Sequence, residues 1–376
     1  MDFLLVALVF AAFSLAFANG ANDNFKAVAT VYGSGMFDYV ASRNFATVAQ
    51  VTGSLASVAL ADRLLKAFSG KGLVPDALVA DPIFLVAVGL GAATTVLVAT
   101  RVGLPISTTH ALVGGLAGAG LGLAPTQLSW SALGGSYFAP LAISPILAVA
   151  IAGLLYPVAH HAKALIGLPA RRLARLRGAP LMASSIADGH LLDPDGVCSA
   201  LEVGSSAGGG ALHPGSIAEV RVQWAVERLH VISAFSLGFA RGLNDTPKVL
   251  ALLVAAGWSG LDPRISLLAV ALAMAAGGFL RARRVAETLS HGITEISRGQ
   301  GLVANAISSG LVIGASLLGS PVSTTHVSTG ALFGIGAWND RTDWRTVGAI
   351  VGSWLGTLPL AAVLAWTVAS LLAGLE

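Results

Sequence analysis

Two tracts of the chain repeat one another and carry charge inside apolar surroundings. The first is Gly20-Ala21-Asn22-Asp23-Asn24-Phe25-Lys26, and the second is Gly242-Leu243-Asn244-Asp245-Thr246-Pro247-Lys248. A carboxylate in the middle of a membrane helix costs about 2.5–3.5 kcal/mol on insertion scales, and such groups face a bundle interior or a polar cavity. Asp23 and Asp245 accept that cost twice, which marks both as candidates for binding a cation. Lys26 and Lys248 each follow their aspartate by three residues, so a helix puts acid and base on one face. Such a pair neutralises itself until an anion draws the ammonium away and frees the carboxylate. Gly20 and Gly242 predict unwinding just before each Asn-Asp pair, and Pro247 predicts a break in the second copy. Backbone groups freed at such breaks bind ions at membrane depth.

A second pair of tracts offers hydroxyls. Leu104-Pro105-Ile106-Ser107-Thr108-Thr109-His110 matches Ser320-Pro321-Val322-Ser323-Thr324-Thr325-His326. Pro105 and Pro321 suit the first turn of a helix, which places the Ser-Thr-Thr residues there as well. Unpaired N–H groups, a positive dipole end and three hydroxyls make an anion cradle. Ordinary capping and small-residue helix packing use the same residue types. His110 and His326 are open to three roles: orienting hydroxyls, carrying protons, or bonding a neighbouring helix. Arg284, Glu287, His291 and Glu295 form a further polar patch, read either as a rim or as part of a path.

The elements that hold these tracts must be membrane helices. The chain has 376 residues, of which 55% are hydrophobic and only 11% charged, and its mean hydropathy is +0.78. A soluble domain carries about a quarter charged residues, so this chain lacks the polar surface to coat a globule. Apolar stretches place spans near 3–20, 43–62, 82–101, 105–124 and 131–157, then near 230–259, 265–280, 300–319, 321–337 and 346–373. The run from Asp81 to Leu123 has a proline and many glycines at its centre, so it has the means to turn back inside the membrane. Residues 1–18 lack the basic lead of a signal peptide and read as a retained first helix. The single cysteine, Cys198, excludes a disulfide framework and a cysteine metal site. The net charge of +3 sits in loops, chiefly at Arg171, Arg172, Arg175 and Arg177, which argues for membrane topology rather than nucleic acid.

Two motifs repeated in the same order at similar spacing make the chain an internal duplication. The expected division is a first transmembrane repeat over 1–157, a partly disordered cytoplasmic linker over 158–222 and a second repeat over 223–376. An odd number of crossings in the first half makes the repeats inverted and puts the N-terminus outside. The expected fold is an all-α, polytopic transmembrane bundle of two inverted repeats, about 10–12 membrane segments, with broken helices and room for re-entrant hairpins.

At these residues the chain resembles the PiT inorganic phosphate transporters. The resemblance covers both halves. It rests on Gly20-Ala21-Asn22-Asp23 with Gly33-Ser34-Gly35, on Gly242-Leu243-Asn244-Asp245, on both Pro-x-Ser-Thr-Thr-His tracts, and on Arg284-Val285-Ala286-Glu287-Thr288. It implies a secondary symporter, not an enzyme, that moves phosphate with Na+ or H+ from a midplane site by alternating access. Asn22, Lys26, Ser107, Thr108, Thr109, Asn244, Lys248, Ser323, Thr324 and Thr325 would hold the anion, and Asp23 and Asp245 the coupling cation, including Na+. Expected partners are phosphate or a similar oxyanion, the cation, lipid and a second copy of the chain, in a plasma (inner) membrane. No cofactor is expected, and no P-loop supplies ATP. Other readings are a sulfate-like oxyanion carrier, a passive anion channel, and a membrane hydrolase using Ser107 and His110. The chain departs from the family at Asn24-Phe25-Lys26 and at Val31-Tyr32. The added lysine would either stand in for a sodium ion electrostatically or favour a dianion such as sulfate.

Overall fold

The computed structural model describes residues 3–60, 62–165, 217–256, 263–292, 296–338 and 342–375. No β-strand occurs among them. The first half contains α1 (Phe3–Asp23), α2 (Ala29–Gly33), α3 (Tyr39–Leu60), α4 (Pro82–Val102), α5 (Thr108–Leu123) and α6 (Ala139–Leu165). The second contains α7 (Ile217–Ala255), α8 (Pro263–Arg281), α9 (Arg283–His291), α10 (Arg298–Leu318), α11 (Thr324–Gly336) and α12 (Trp344–Ala373). Residues 1–156 and 228–376 form one compact unit and 157–227 another. The arginine cluster at 171–177, Cys198 and the glycine-rich tract at 204–210 lie outside the described residues.

Among the described residues, six helical stretches are long and apolar enough to cross a membrane: 3–27, 82–102, 130–158, 264–281, 298–318 and 344–373. The chain is an integral, multi-pass membrane protein. Its outer face is apolar, with Phe10, Leu154, Leu355 and Val363 exposed, whereas Asn22, Asp23, Lys26, Arg241, Asn244, Asp245 and Lys248 are buried. That inversion of the soluble pattern follows from lipid being the solvent.

The expected turn inside the 81–123 run is present, and it occurs twice. α4 ends at Gly103, whose left-handed φ of 80° closes the helix, and α10 ends at Gly319 with φ 72°. A proline follows two residues later in each copy, where the chain cannot continue as helix. Ser107 and Ser323 then cap α5 and α11. α5 has 16 residues and α11 has 13, so at 1.5 Å per residue they span about 24 and about 20 Å. Both fall short of a hydrocarbon core of about 30 Å. Pro105 and Pro321 therefore lie ahead of the caps, not in the first turns as expected from their type.

Two further expectations are corrected. α1 stays helical through Gly20, Asn22 and Asp23, and only then tightens to a 3₁₀ turn at Asn24–Ala27. α7 runs unbroken through Gly242 and keeps Pro247 inside it. The glycines serve close packing instead: a Cβ on Gly20 would fall on the Met274 carbonyl, and one on Gly242 on the Gln50 carbonyl. These close backbone approaches occupy the space that a side chain at either position would need.

The two halves interlock. α1 packs on α8, with Gly20 against Met274 and Gly277 against Phe17. Reciprocally, α3 meets α7, with Gly242 against Gln50 and Gly53 against Phe239. The same exchange joins each short helix to the last helix of the other half. Gly114 and Gly118 of α5 abut Leu358 and Ala362 of α12, and Gly330 and Gly334 of α11 abut Pro145 and Val149 of α6. Small residues four apart let the backbones meet, which is how helices associate in lipid.

Candidate functional site

The interlocking brings the four duplicated tracts to one place. Lys26 Nζ donates to Asn22 Oδ1 at 3.0 Å, to the Ile106 carbonyl at 2.7 Å, to Thr325 Oγ1 at 2.5 Å and to Asp23 Oδ1. Lys248 Nζ donates to Asp245 Oδ1 at 3.2 Å, to the Val322 carbonyl at 3.0 Å, to Thr109 Oγ1 at 2.7 Å and to Asn244 Oδ1. The two sets correspond residue for residue. Each ammonium holds its own Asn-Asp pair, a carbonyl from its own half's hairpin and a threonine from the other half.

The hairpin tips also bond each other. Thr325 Oγ1 donates to the Ile106 carbonyl at 2.8 Å, and Thr109 Oγ1 to the Val322 carbonyl at 3.2 Å. Asn22 fastens the first tip to α1: its amide donates to Thr100 Oγ1 and to the Leu104 carbonyl, each at 3.0 Å, and its oxygen accepts from Ile106 N–H at 3.1 Å. Asn244 does likewise in part, donating to Ser316 Oγ at 2.7 Å.

The hydroxyls divide by position. Ser107 Oγ and Ser323 Oγ accept from the N–H groups of His110 and His326, each at 3.1 Å, so these serines are helix caps. Thr109 and Thr325 cross the interface between halves. Thr324 Oγ1 lies 3.5 Å from Asp245 Oδ2, and Thr108 Oγ1 is buried without a partner. The rings of His110 and His326 lie 4.3 Å apart, and Trp354 stacks on His326 at 4.0 Å.

One member of the site escapes a reading of the sequence. Arg241 puts one guanidinium nitrogen 3.3 Å from Asp23 Oδ2 and 3.5 Å from Asp245 Oδ2, tying the two copies together. It is 2% exposed, and its Nε has no partner. The signal available is an arginine in an apolar run immediately before the Gly-x-Asn-Asp tract. The matching position in the first half is Asn19, which donates to Asp23 Oδ2 at 3.4 Å. Three cationic side chains thus meet two carboxylates, and the cluster carries one formal positive charge in excess.

Other candidates fall elsewhere. Phe25 turns away from the cluster and stacks on Tyr39 at 5.3 Å, with Tyr32 at its edge. Glu287 pairs with Arg283 at the exposed surface, at 3.2 Å, and Arg284 bonds the Arg101 carbonyl. Glu295 and the side chain of His291 lie outside the described residues. Beside Lys26 a cavity of about 10 Å³, lined in part by Thr30, Asn305, Ser328 and Thr329, has room for one water. His230 and Asn305 both bond Thr30 Oγ1, each at 2.9 Å.

The profile of the phosphate transporter family matches residues 19–365. A Mycobacterium bovis protein named "Probable low-affinity inorganic phosphate transporter" is 28% identical over 370 residues, covering 96% of this chain and 75% of that one. A Pyrococcus abyssi protein, provisionally named a phosphate permease, is 25% identical over 97% of this chain and 96% of its own. A solved structure titled "The sodium-dependent phosphate transporter" superposes with a TM-score of 0.74 at 20% identity, over 100% of both chains, and shows the shared fold.

Proposed function

The chain belongs to the phosphate transporter family, and from that premise we propose that it carries inorganic phosphate as a secondary transporter, by alternating access about the interlocked site. The observation that carries this reading is the duplicated cluster: two ammoniums and a guanidinium beside two hydroxyl-bearing helix N-termini, buried among membrane helices. An oxyanion entering there exchanges carbonyl and carboxylate partners of Lys26 and Lys248 for its own oxygens, while Thr108, Thr109, Thr324 and Thr325 and the first-turn N–H groups donate to it. Asp23 and Asp245 accept from the hydroxyl of a protonated phosphate, a donor that sulfate lacks. The relatives named for phosphate support the same cargo.

Lys26 and Lys248 are in direct contact with the hairpin carbonyls and threonine hydroxyls, and the tips bond each other, so a tetrahedral anion needs the hairpin tips to part. Parting them toward one side and then the other is the alternating access proposed here. Transport is coupled to a cation, Na+ or H+, with Asp23 and Asp245 as the carboxylates available to it. Three crossings and a hairpin in the first half would set the N-terminus outside. Arg281, Arg283 and Arg284, after one unbroken α7 and α8, would then fall inside, as the positive-inside rule asks. The test is uptake of labelled phosphate into proteoliposomes with excess sulfate as competitor. Uptake that sulfate leaves intact and Asp245→Asn abolishes is the expected result. Accumulation of labelled sulfate with no phosphate uptake would change the cargo, and unsaturable flux in both directions would make the protein a channel.

A further inference from the structure

We infer that the ammonium groups of Lys26 and Lys248 occupy, as built-in cations, the two oxygen cages in which a coupling sodium ion would have to sit, so that transport by this chain does not use sodium. The inference rests on the proposed carrier reading and narrows its coupling ion.

The oxygens around each Nζ are the argument. Lys26 Nζ is surrounded by an Asn carbonyl oxygen, an Asp carboxylate oxygen, a hairpin backbone carbonyl and a threonine hydroxyl. Lys248 Nζ has the same four kinds of oxygen, drawn from the corresponding residues. An all-oxygen set of carboxylate, carbonyl and hydroxyl groups is what a hard cation takes, and carbonyls freed at helix breaks are where transporters place Na+. Here a side-chain nitrogen already stands at the centre of each set.

The remaining carboxylate oxygens are engaged too. Asp23 Oδ2 and Asp245 Oδ2 both face Arg241, with Asn19 and Thr324 as their second neighbours. A sodium ion would enter a buried cluster whose formal charge is already +1, displacing an ammonium from its own carboxylate, carbonyl and hydroxyl partners. An anion meets the opposite balance: it neutralises the excess charge and needs no companion cation to do so. Other side chains packed around the cluster, Thr30, His230, Asn305, His110 and His326, add no carboxylate to favour a metal ion. Among the described residues, no group of three or more His, Cys, Asp or Glu gathers as a metal site.

The test uses the full chain, purified, with two readouts. The first is binding of ²²Na+ to the protein itself; the expected result is no saturable component. The second is phosphate accumulation in vesicles held at zero membrane potential, under an inward Na+ gradient and with N-methylglucamine in its place. Sodium symport would raise accumulation about tenfold for each ion coupled to a tenfold gradient; the expected result is equal accumulation with the two cations. Lys26→Ala, which empties one cage and leaves Asp23 with a single cationic neighbour, is expected to gain saturable ²²Na+ binding. Saturable binding by the unaltered chain that Asp23→Asn removes, or sodium-driven accumulation, overturns the inference. If phosphate moves under neither cation, the cargo reading fails, and the ²²Na+ binding result still decides this one.

Discussion

At the scale of residues, the site is a charge cluster in which each member is positioned by the partners of the others. Asp23 and Asp245 are marked by their cost, and Lys26 and Lys248 by helical spacing, so the pairs at the centre are legible in the sequence alone. Residue types do not show which oxygens the ammoniums reach across the interface, because Thr325 lies 299 residues from Lys26 and Thr109 lies 139 from Lys248. Arg241 is hidden because it has no counterpart: symmetry draws attention to pairs, and the residue linking them occurs once. Removing one partner of a buried ion pair costs about 3–5 kcal/mol, because the other charge is left uncompensated. Arg241→Gln leaves Asp23 Oδ2 and Asp245 Oδ2 without their shared cation, so a loss in that range is expected as a lower melting temperature in detergent, together with loss of phosphate uptake. Arg241→Lys keeps the charge but offers one nitrogen on a flexible stem. It is expected to melt between the native protein and the glutamine variant; equal melting of all three would remove Arg241 from the cluster.

At the scale of elements, the abundance of glycine is a true membrane signal but a false sign of unwinding. Gly20 and Gly242 sit inside continuous helices, where the opposing backbone occupies the space a side chain would need. Which glycine faces a neighbour depends on tertiary placement, which sequence periodicity in a uniformly apolar helix does not encode. Gly118→Ala and Gly334→Ala push a methyl into the Ala362 and Val149 carbonyls and are expected to destabilise by about 1–3 kcal/mol, as overpacking does. Gly352→Ala, on α12 with nothing near its Cβ position, is the control: removing a helix-interior glycine there is expected to be neutral or to stabilise by up to about 1 kcal/mol. Thermal unfolding of the three variants in one detergent checks the contrast. The cap of α12 carries a pH dependence of its own. Asp343 accepts from the Thr346 hydroxyl at 2.8 Å and from the Arg345 and Thr346 N–H groups, and these bonds, the hydroxyl first, hold its carboxyl below the usual range. A depressed native pKa stabilises the fold above the unfolded value and is lost as pH falls through the native one. Asp343→Asn keeps a capping oxygen that does not titrate, so its melting temperature is expected to fall less steeply than that of the native chain below pH 4 or so.

At the scale of the whole molecule, duplication has produced an interlocked pair of halves rather than two bundles side by side. Repeated motifs reveal the duplication, and parity of crossings suggests inversion, but nothing in either tract reveals that each half packs its hairpin helix on the other's last helix. That exchange has a functional consequence. α5 is fixed to α12 through Gly114 and Gly118, and α11 to α6 through Gly330 and Gly334, so a hairpin tip cannot move without shifting a long helix of the opposite repeat. The tips meet through Thr109–Val322, Thr325–Ile106 and the His110–His326 ring contact, and that seam has to open if an anion is to pass. Locking it should therefore stop transport without dismantling the fold. In a chain carrying Cys198→Ser, His110→Cys and His326→Cys place two thiols where rings now lie 4.3 Å apart. Bridging them with mercuric ion is expected to abolish phosphate uptake, and a reducing dithiol to restore it, while His110→Cys or His326→Cys alone is unaffected by mercury. Uptake that persists with the bridge complete would mean that the tips need not separate, and the pathway would then have to run outside the seam between the two halves.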